Sequence, residues 1–283
     1  MTTRLISAGV GIVITLIVLF LHGTIVFPIV VGILGLIMQL EFLRANRLFK
    51  YRAASGASLV FSLLYPIFSV DVVHNFQPLL VVICLTVVFF EYILRKTSLY
   101  MRSFFAIMTG MLVIPLSLST LVRLNHGNET FGIIYVLLVL TGAWIADSGA
   151  YFVGSALGKH KLCPAVSPKK TIEGLVGGIA ADVLFFIVFV LIYAAIMAKK
   201  GIFVTYSMPA MVVLGALCAL AGTVGDLTAS VLKRQLEIKD YGTIMPGHGG
   251  LLDRFDSVLL VAPLVYAFVT AFGIFGISAN VPV

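Results

Sequence analysis

The chain has 283 residues, of which 60% are hydrophobic and only 11% charged, with a mean hydropathy of +1.13. A soluble domain carries roughly a quarter charged residues to meet water, so this composition excludes an ordinary soluble globule and leaves an all-α, polytopic integral membrane protein as the fold class. The net charge of +7 and pI of about 9.4 come from Lys and Arg grouped between apolar runs, with no basic stripe interleaved with aromatics, which argues against nucleic acid and for membrane orientation with attraction to anionic lipid or nucleotide.

Met1–Arg4 lead into a long apolar stretch with no small-residue cleavage site, and a second apolar run follows directly. The segment reads as a retained first span rather than a signal peptide. In chain order, about nine spans are expected, near residues 5–22, 24–43, 57–71, 77–95, 103–121, 131–154, 174–197, 208–232 and 257–278. The first two divide around His22-Gly23, and the third is short and carries Pro66, which predicts a kink or tilt. No linker or internal repeat interrupts the chain, so 1–283 reads as a single membrane domain. Asn128-Glu129-Thr130 is a formal glycosylation sequon, but three-residue matches arise often by chance. Cys84, Cys163 and Cys218 are scattered and odd in number, which supports neither a disulfide framework nor a zinc site.

Of the 19 Lys and Arg residues, all except Arg123, Lys199 and Lys200 fall on the side holding the N-terminus and the loops after the even-numbered spans. The positive-inside rule therefore expects the N-terminus in the cytoplasm and the C-terminus outside.

Charge within an apolar span is costly and tends to mark function. Glu41, Glu91, Asp147, Asp182 and Asp226 all lie in or at the edge of such runs. Glu41 and Glu91 sit three and four positions before Arg44 and Arg95, so a local ion pair is expected for both. Asp182 lies deeper, and a polar contact between helices and a cavity lining are equally open readings. Asp147 opens a polar segment that runs through Gly158-Lys159-His160-Lys161 to Ser167-Pro168-Lys169-Lys170-Thr171-Ile172-Glu173-Gly174. Its ammonium groups and backbone amides suit a phosphate chain; on lysine density alone, a solvated loop with orientation charges is the simpler account.

The segment from Gly225 to Asp256 is richer. If the eighth span stays helical past Asp226, then Asp226, Ser230 and Lys233 share a face at i, i+4 and i+7. Asp253 and Asp256 likewise share a face where the next helix begins. Three carboxylates at helix ends are hard oxygen donors, suited to Mg²⁺ rather than zinc. The Gly247-His248-Gly249-Gly250 turn lets backbone approach a ligand closely, although a plain cytoplasmic loop shares that composition. It is no P-loop, because the Gly-Lys-Ser/Thr ending is absent, and no His-Glu-x-x-His is present. Gly32, Gly35, Gly174, Gly177 and Gly178 read as close helix-packing positions.

Ser230-x-Leu232-Lys233-Arg234-x₄-Lys239-Asp240-x-Gly242-x₃-Pro246-Gly247-His248-Gly249-Gly250-x₂-Asp253-Arg254-Phe255-Asp256 resembles the signature of the phosphatidate cytidylyltransferase (CDP-diacylglycerol synthase) family over its whole length. Asp147-Ser148-x-Ala150-Tyr151 and Ser167-Pro168-x-Lys170-Thr171-x-x-Gly174 resemble it too. Many members have Gly at the position of Lys169 and Gln at that of Glu173, so neither is given a role. The close match covers about residues 140–260, which makes that stretch the expected catalytic part, with loops 155–173 and 233–256, after N-terminal spans in 1–125. The resemblance implies that CTP and phosphatidate are converted to CDP-diacylglycerol and pyrophosphate. It also implies Mg²⁺, with a second cation left open, a homodimer, and a bacterial inner membrane with the site facing the cytoplasm.

In that reading the phosphatidate oxygen attacks the CTP α-phosphorus in line. A phosphomonoester is already ionised near neutral pH, so no strong base is required. Asp226, Lys233, Asp253 and Asp256 are the expected catalytic residues, with Asp226, Asp253 and Asp256 holding the metal. Asp147, Ser167, Lys170, Thr171, Ser230, Arg234, Lys239, His248, Gly249, Gly250 and Arg254 are the expected substrate-binding set. A transporter would show paired inverted repeats and mid-bilayer polar residues, and another CTP-using lipid enzyme would lack the full signature.

Overall fold

A computed structural model of the chain describes residues 9, 11, 13, 15–70, 72–95, 100–128, 130–245, 247 and 249–277. Residues 15–20 are helical and end in a turn at 21–24, where the first two spans were expected to divide. The elements that follow are α1 (Val26–Ala45), α2 (Arg52–Ile67), α3 (Gln77–Arg95), α4 (Met101–His126) and α5 (Gly132–Leu157). Next come β1 (Lys161–Cys163), β2 (Ser167–Thr171), α6 (Ile172–Lys199), β3 (Val204–Tyr206) and α7 (Met208–Gln235). The chain closes with α8 (Leu252–Phe255), α9 (Val258–Phe272) and β4 (Phe275–Ile277). Among the described residues, seven helical segments are long and apolar enough to cross a membrane. The protein is thus an all-α polytopic membrane protein, in which each spanning backbone satisfies its own polar groups. Several expectations lie outside the described residues: His248, Pro246, Glu129 of the sequon, the orientation charges Arg4 and Lys96, and parts of the first and last spans.

The chain divides into two compact units, Met1–Ile133 with Val231–Leu259, and Ile134–Ser230 with Leu260–Val283. In the first, α2 packs against α1, α3 and α4. With 16 residues it is about 24 Å long, short of the roughly 30 Å hydrocarbon core, and it is not among the seven. It buries Ser55, Ser58 and Ser62 together with Phe61 and Tyr65. Small residues let the backbones approach: a Cβ on Gly35 of α1 would come within 2.7 Å of the Ser62 carbonyl oxygen, and one on Gly32 would meet that of Leu63. Glu91 makes the expected pair with Arg95 at 3.2 Å. Its other oxygen accepts the Ala54 amide at 2.6 Å, in the first turn of α2, where a negative charge complements the helix dipole.

In the second unit α5 and α6 meet through small residues. A Cβ on Gly178 would reach the Ala146 carbonyl oxygen at 2.7 Å, and one on Gly149 would reach the Ala181 side chain at 2.5 Å. The packing expected of Gly174, Gly177 and Gly178 is therefore observed. Phe186, Val190, Leu214 and Cys218 are buried here, and the three cysteines are free. Two elements depart from the expected helices and loops. Lys161–Cys163 and Ser167–Thr171 pair as an antiparallel hairpin. The last span, expected to reach 278, ends at Phe272; after Gly273 in the left-handed region (φ 56°), Phe275–Ile277 pairs with Val204–Tyr206. An apolar Phe-Gly-Ile reads the same by hydropathy in either state, and the distant partner strand decides it. Phe275 is anchored against the rings of Tyr135 and Tyr193, with centroids at 5.6 and 6.0 Å.

Candidate functional site

Two lysine–carboxylate clusters, one in each unit, hold Lys233 with Asp253 and Lys170 with Asp226 and Asp147. Helix α7 runs unbroken to Gln235, which meets the condition for the i, i+4, i+7 spacing of Asp226, Ser230 and Lys233.

In the first unit the Lys233 ammonium donates to Asp253 Oδ1 at 2.7 Å, with side-chain exposures of 15% and 3%. Asp253 Oδ2 accepts the amides of Tyr241 at 2.8 Å and Gly250 at 3.0 Å. One carboxylate thereby ties the end of α7 to both arms of the glycine-rich loop. Gly247 and Gly249 adopt φ of 78° and 87°, backbone that a side chain would strain, and Met245 pairs with Gly249 across the turn. The Lys233 ammonium also lies 5.7 Å from the centroid of the Tyr241 ring. Burial pushes the Tyr241 phenol well above its ordinary pKa, and the charges of Asp253 and Asp256 add to that shift.

The residue that sequence reasoning missed is Glu41. It is 1% exposed, and its two oxygens accept the amides of Leu251 at 3.0 Å and Leu252 at 2.8 Å. The expected local pair with Arg44 gives way to this bond between α1 and a loop 210 positions away. A Cβ on Gly250 would come within 2.7 Å of Glu41 Oε2, so only glycine leaves room for the carboxylate there. A carboxylate inside an apolar run was the available signal, and the nearby Arg44 offered a simpler partner. Asp256 is buried, and its Oδ1 accepts the Ser257 amide at 2.7 Å. Arg234, Lys239 and Arg254 are exposed.

In the second unit Lys170 on β2 lies between two helices. Its ammonium is 2.7 Å from Asp226 Oδ2 on α7 and 3.9 Å from Asp147 Oδ1 on α5, with all three side chains partly exposed. The hairpin that presents Lys170 is held at its end by Thr171 and Glu173. The Thr171 hydroxyl is the N-cap of α6, accepting the Gly174 amide at 3.1 Å. Glu173 accepts the amides of Lys159 and His160 and pairs with the His160 ring at 2.6 Å. Thr171 is thus committed to a helix end, and Ser167 begins the strand that carries Lys170.

The donor sets differ in their fit to a divalent cation. Asp147 and Asp226 share a single ammonium and stay partly exposed, and two carboxylates completed by substrate phosphates and water are a usual Mg²⁺ environment. Asp253 has both oxygens engaged by protein donors. No group of three His, Cys, Asp or Glu side chains within metal-binding reach occurs among the described residues.

A sequence model of the Cytidylyltransferase family matches residues 2–272. A protein of Bacillus subtilis (strain 168) named phosphatidate cytidylyltransferase is 31% identical over 273 residues, which is 94% of this chain and 97% of that one. One of the same name from Staphylococcus haemolyticus (strain JCSC1435) is 31% identical over 271 residues, with the same coverage. Another so named, from Staphylococcus aureus (strain COL), is 41% identical over 136 residues, covering 47% of this chain and 48% of its own.

Proposed function

The chain belongs to the cytidylyltransferase family, and from that premise we propose that it transfers the cytidylyl group of CTP to phosphatidate, giving CDP-diacylglycerol and pyrophosphate. The observation that carries the reading is the pair of phosphate-competent lysines, Lys233 and Lys170, each held ready by a carboxylate in a chain aligned over 94% of its length with a phosphatidate cytidylyltransferase.

The reaction asks little of acid–base chemistry, because the attacking phosphate is already ionised near neutral pH. Its barrier is lowered by alignment and by neutralising crowded negative charge. Lys233, anchored by Asp253, meets phosphate oxygens as a positioned point charge. Lys170 plays the same part from its hairpin, with Arg234, Lys239 and Arg254 as exposed cations for the substrates. Asp253 keeps the Lys233 ammonium and the glycine-rich loop in one geometry. Mg²⁺ is proposed as the cofactor, held by Asp226 with Asp147. When bound, it would supply Lewis-acid neutralisation of phosphate oxygens, while Lys170 presents its ammonium beside the same two carboxylates. The charge asymmetry of the loops favours a site facing the cytoplasm, and a homodimer is carried forward from the family resemblance.

Purified protein is expected to form CDP-diacylglycerol from CTP and phosphatidate in a Mg²⁺-dependent assay, and Asp253→Asn and Lys233→Ala are expected to abolish it. Absence of product from well-folded wild-type protein, across Mg²⁺ concentrations and lipid mixtures, would sink the reading.

A further inference from the structure

We propose that Glu41 is a positioning residue of the active site: through the Leu251 and Leu252 amides it sets the loop that carries Asp253 and thereby the Lys233 ammonium. The proposal rests on the function given above and adds to it a residue from the N-terminal half, outside the stretch whose sequence resembles the family signature.

Three consecutive backbone N–H groups of the loop are taken by carboxylates. Gly250 donates to Asp253 Oδ2 at 3.0 Å, and Leu251 and Leu252 donate to the two oxygens of Glu41 at 3.0 and 2.8 Å. Asp253 follows directly and uses its other oxygen for Lys233 at 2.7 Å. The chain of contacts is therefore short: Glu41 holds residues 251 and 252, and residue 253 holds the lysine. Successive amides aimed at one point form an anion-binding concavity, which in this loop is filled from within by a side chain of α1. Glu41 is 1% exposed, and each of its two oxygens is met by a backbone N–H donor.

Packing gives the same answer independently of the hydrogen bonds. Cβ atoms on Gly242 and Gly250 would both run into the Glu41 carboxyl group. Glycines on both arms of the loop therefore leave room for this one side chain. A shorter acid cannot fill the space and reach both amides. A neutral amide of the same shape keeps one of the two bonds and sets its NH₂ group against the other N–H.

Glu91 supplies a matched control. It is a buried carboxylate of the same unit that likewise accepts a backbone amide at a helix start, that of Ala54, yet it touches no residue of the Lys233–Asp253 cluster in any bond described above. Glu41→Gln, Glu41→Asp and Glu91→Gln are to be purified in detergent and compared with the wild type for thermal stability, amide hydrogen exchange over residues 249–253, and kcat and KM for CTP and phosphatidate. Displacement of a reacting group by about 1 Å costs on the order of 10²-fold in rate. Glu41→Gln is expected to lose protection at residues 251 and 252 and to lower kcat by about 10- to 100-fold, with either KM changed by less than about threefold. Glu91→Gln is expected to lower stability without moving kcat.

Non-additivity makes the route through Asp253 testable. If Glu41 works only by placing Asp253, Glu41→Gln/Asp253→Asn is no slower than Asp253→Asn alone. Loss of protection with an unchanged kcat, or multiplicative loss in the double variant, overturns the proposal. So does an equal fall of kcat in Glu91→Gln, which would make the effect one of general stability. Wild-type protein that forms no CDP-diacylglycerol overturns the function instead, while hydrogen exchange still reports whether Glu41 holds the loop.

Discussion

Breaking the Lys233–Asp253 pair provides a quantitative check on the geometry of the first cluster. The side chains are 15% and 3% exposed at a separation of 2.7 Å. Lys233→Met removes the ammonium while keeping much of the stem, and it leaves Asp253 with only the Tyr241 and Gly250 amides. Removing one partner of a buried pair costs about 3–5 kcal/mol. Two surviving amide bonds and the slight exposure of Lys233 place the expectation at the low end, about 3 kcal/mol. For a chain of this size, roughly 2–4 °C of Tm accompanies each kcal/mol, so a fall of about 6–12 °C is expected. Asp253→Asn disturbs the same three bonds from the other side. The double variant carries neither charge and is expected to be less damaged than the two single losses combined, by about 1–3 kcal/mol. Thermal melts in detergent, followed by circular dichroism and checked by gel filtration, measure all four proteins. Losses that add to within about 0.5 kcal/mol would refute a coupled pair, and with it the argument that Asp253 holds Lys233.

Two further expectations concern the remaining buried groups. Asp182 on α6 is fully buried, and neither of its oxygens has a hydrogen-bond partner among the described residues. An unpartnered polar group removed from water costs about 1–3 kcal/mol, so Asp182→Leu, which replaces it with an apolar group of similar volume, should raise Tm by several degrees and leave kcat unchanged; a fall in either would mean that the carboxylate is used. The Tyr241 phenol is held neutral, with its pKa raised by burial and by the nearby Asp253 and Asp256. The folded state therefore retains this proton after the unfolded state, near pH 10, has begun to release it. Stability should be level below about pH 10 and fall as pH rises above it, and Tyr241→Phe should flatten that fall. Melts at intervals from about pH 8 to about pH 11 test this, and parallel curves for the two proteins would refute it.

The spans were legible because a bilayer demands long apolar segments whose backbone bonds are internal. Gln77–Arg95 coincides with the expected 77–95, and α7 starts at 208 as read. The strand Phe275–Ile277 was not legible, since its state depends on pairing with Val204–Tyr206, about seventy positions earlier in the chain, and hydropathy reports burial alone. Lys170, Asp226, Lys233 and Asp253 stood out by residue type and fixed spacing. Their partners did not: spacing does not reveal that Lys170 reaches Asp226 while Lys233 reaches Asp253. Glu41 shows the same limit most clearly. Its charge in an apolar run was visible, but the loop it grips lies near the other end of the sequence, and a local arginine supplied a sufficient reason for it.

The two clusters share one electrostatic device. A lysine in a largely apolar protein cannot be left bare, because an uncompensated buried charge is costly. Lys233 is neutralised by Asp253, and Lys170 by Asp226 with Asp147 behind it. On the proposed function, a substrate phosphate would compete for either lysine with a carboxylate already in place, and its greater charge and larger number of acceptor oxygens favour it. A neutral lipid brings neither, so on that reading the same carboxylates would disfavour lipids without a phosphomonoester. The two sets of carboxylates are held differently. Asp226 and Asp147 remain partly exposed and suited to a divalent cation, whereas Asp253 keeps two backbone amides and stays where it is. On the proposed function, the Lys170 cluster is therefore the one able to exchange partners, whereas the Lys233 cluster keeps its geometry.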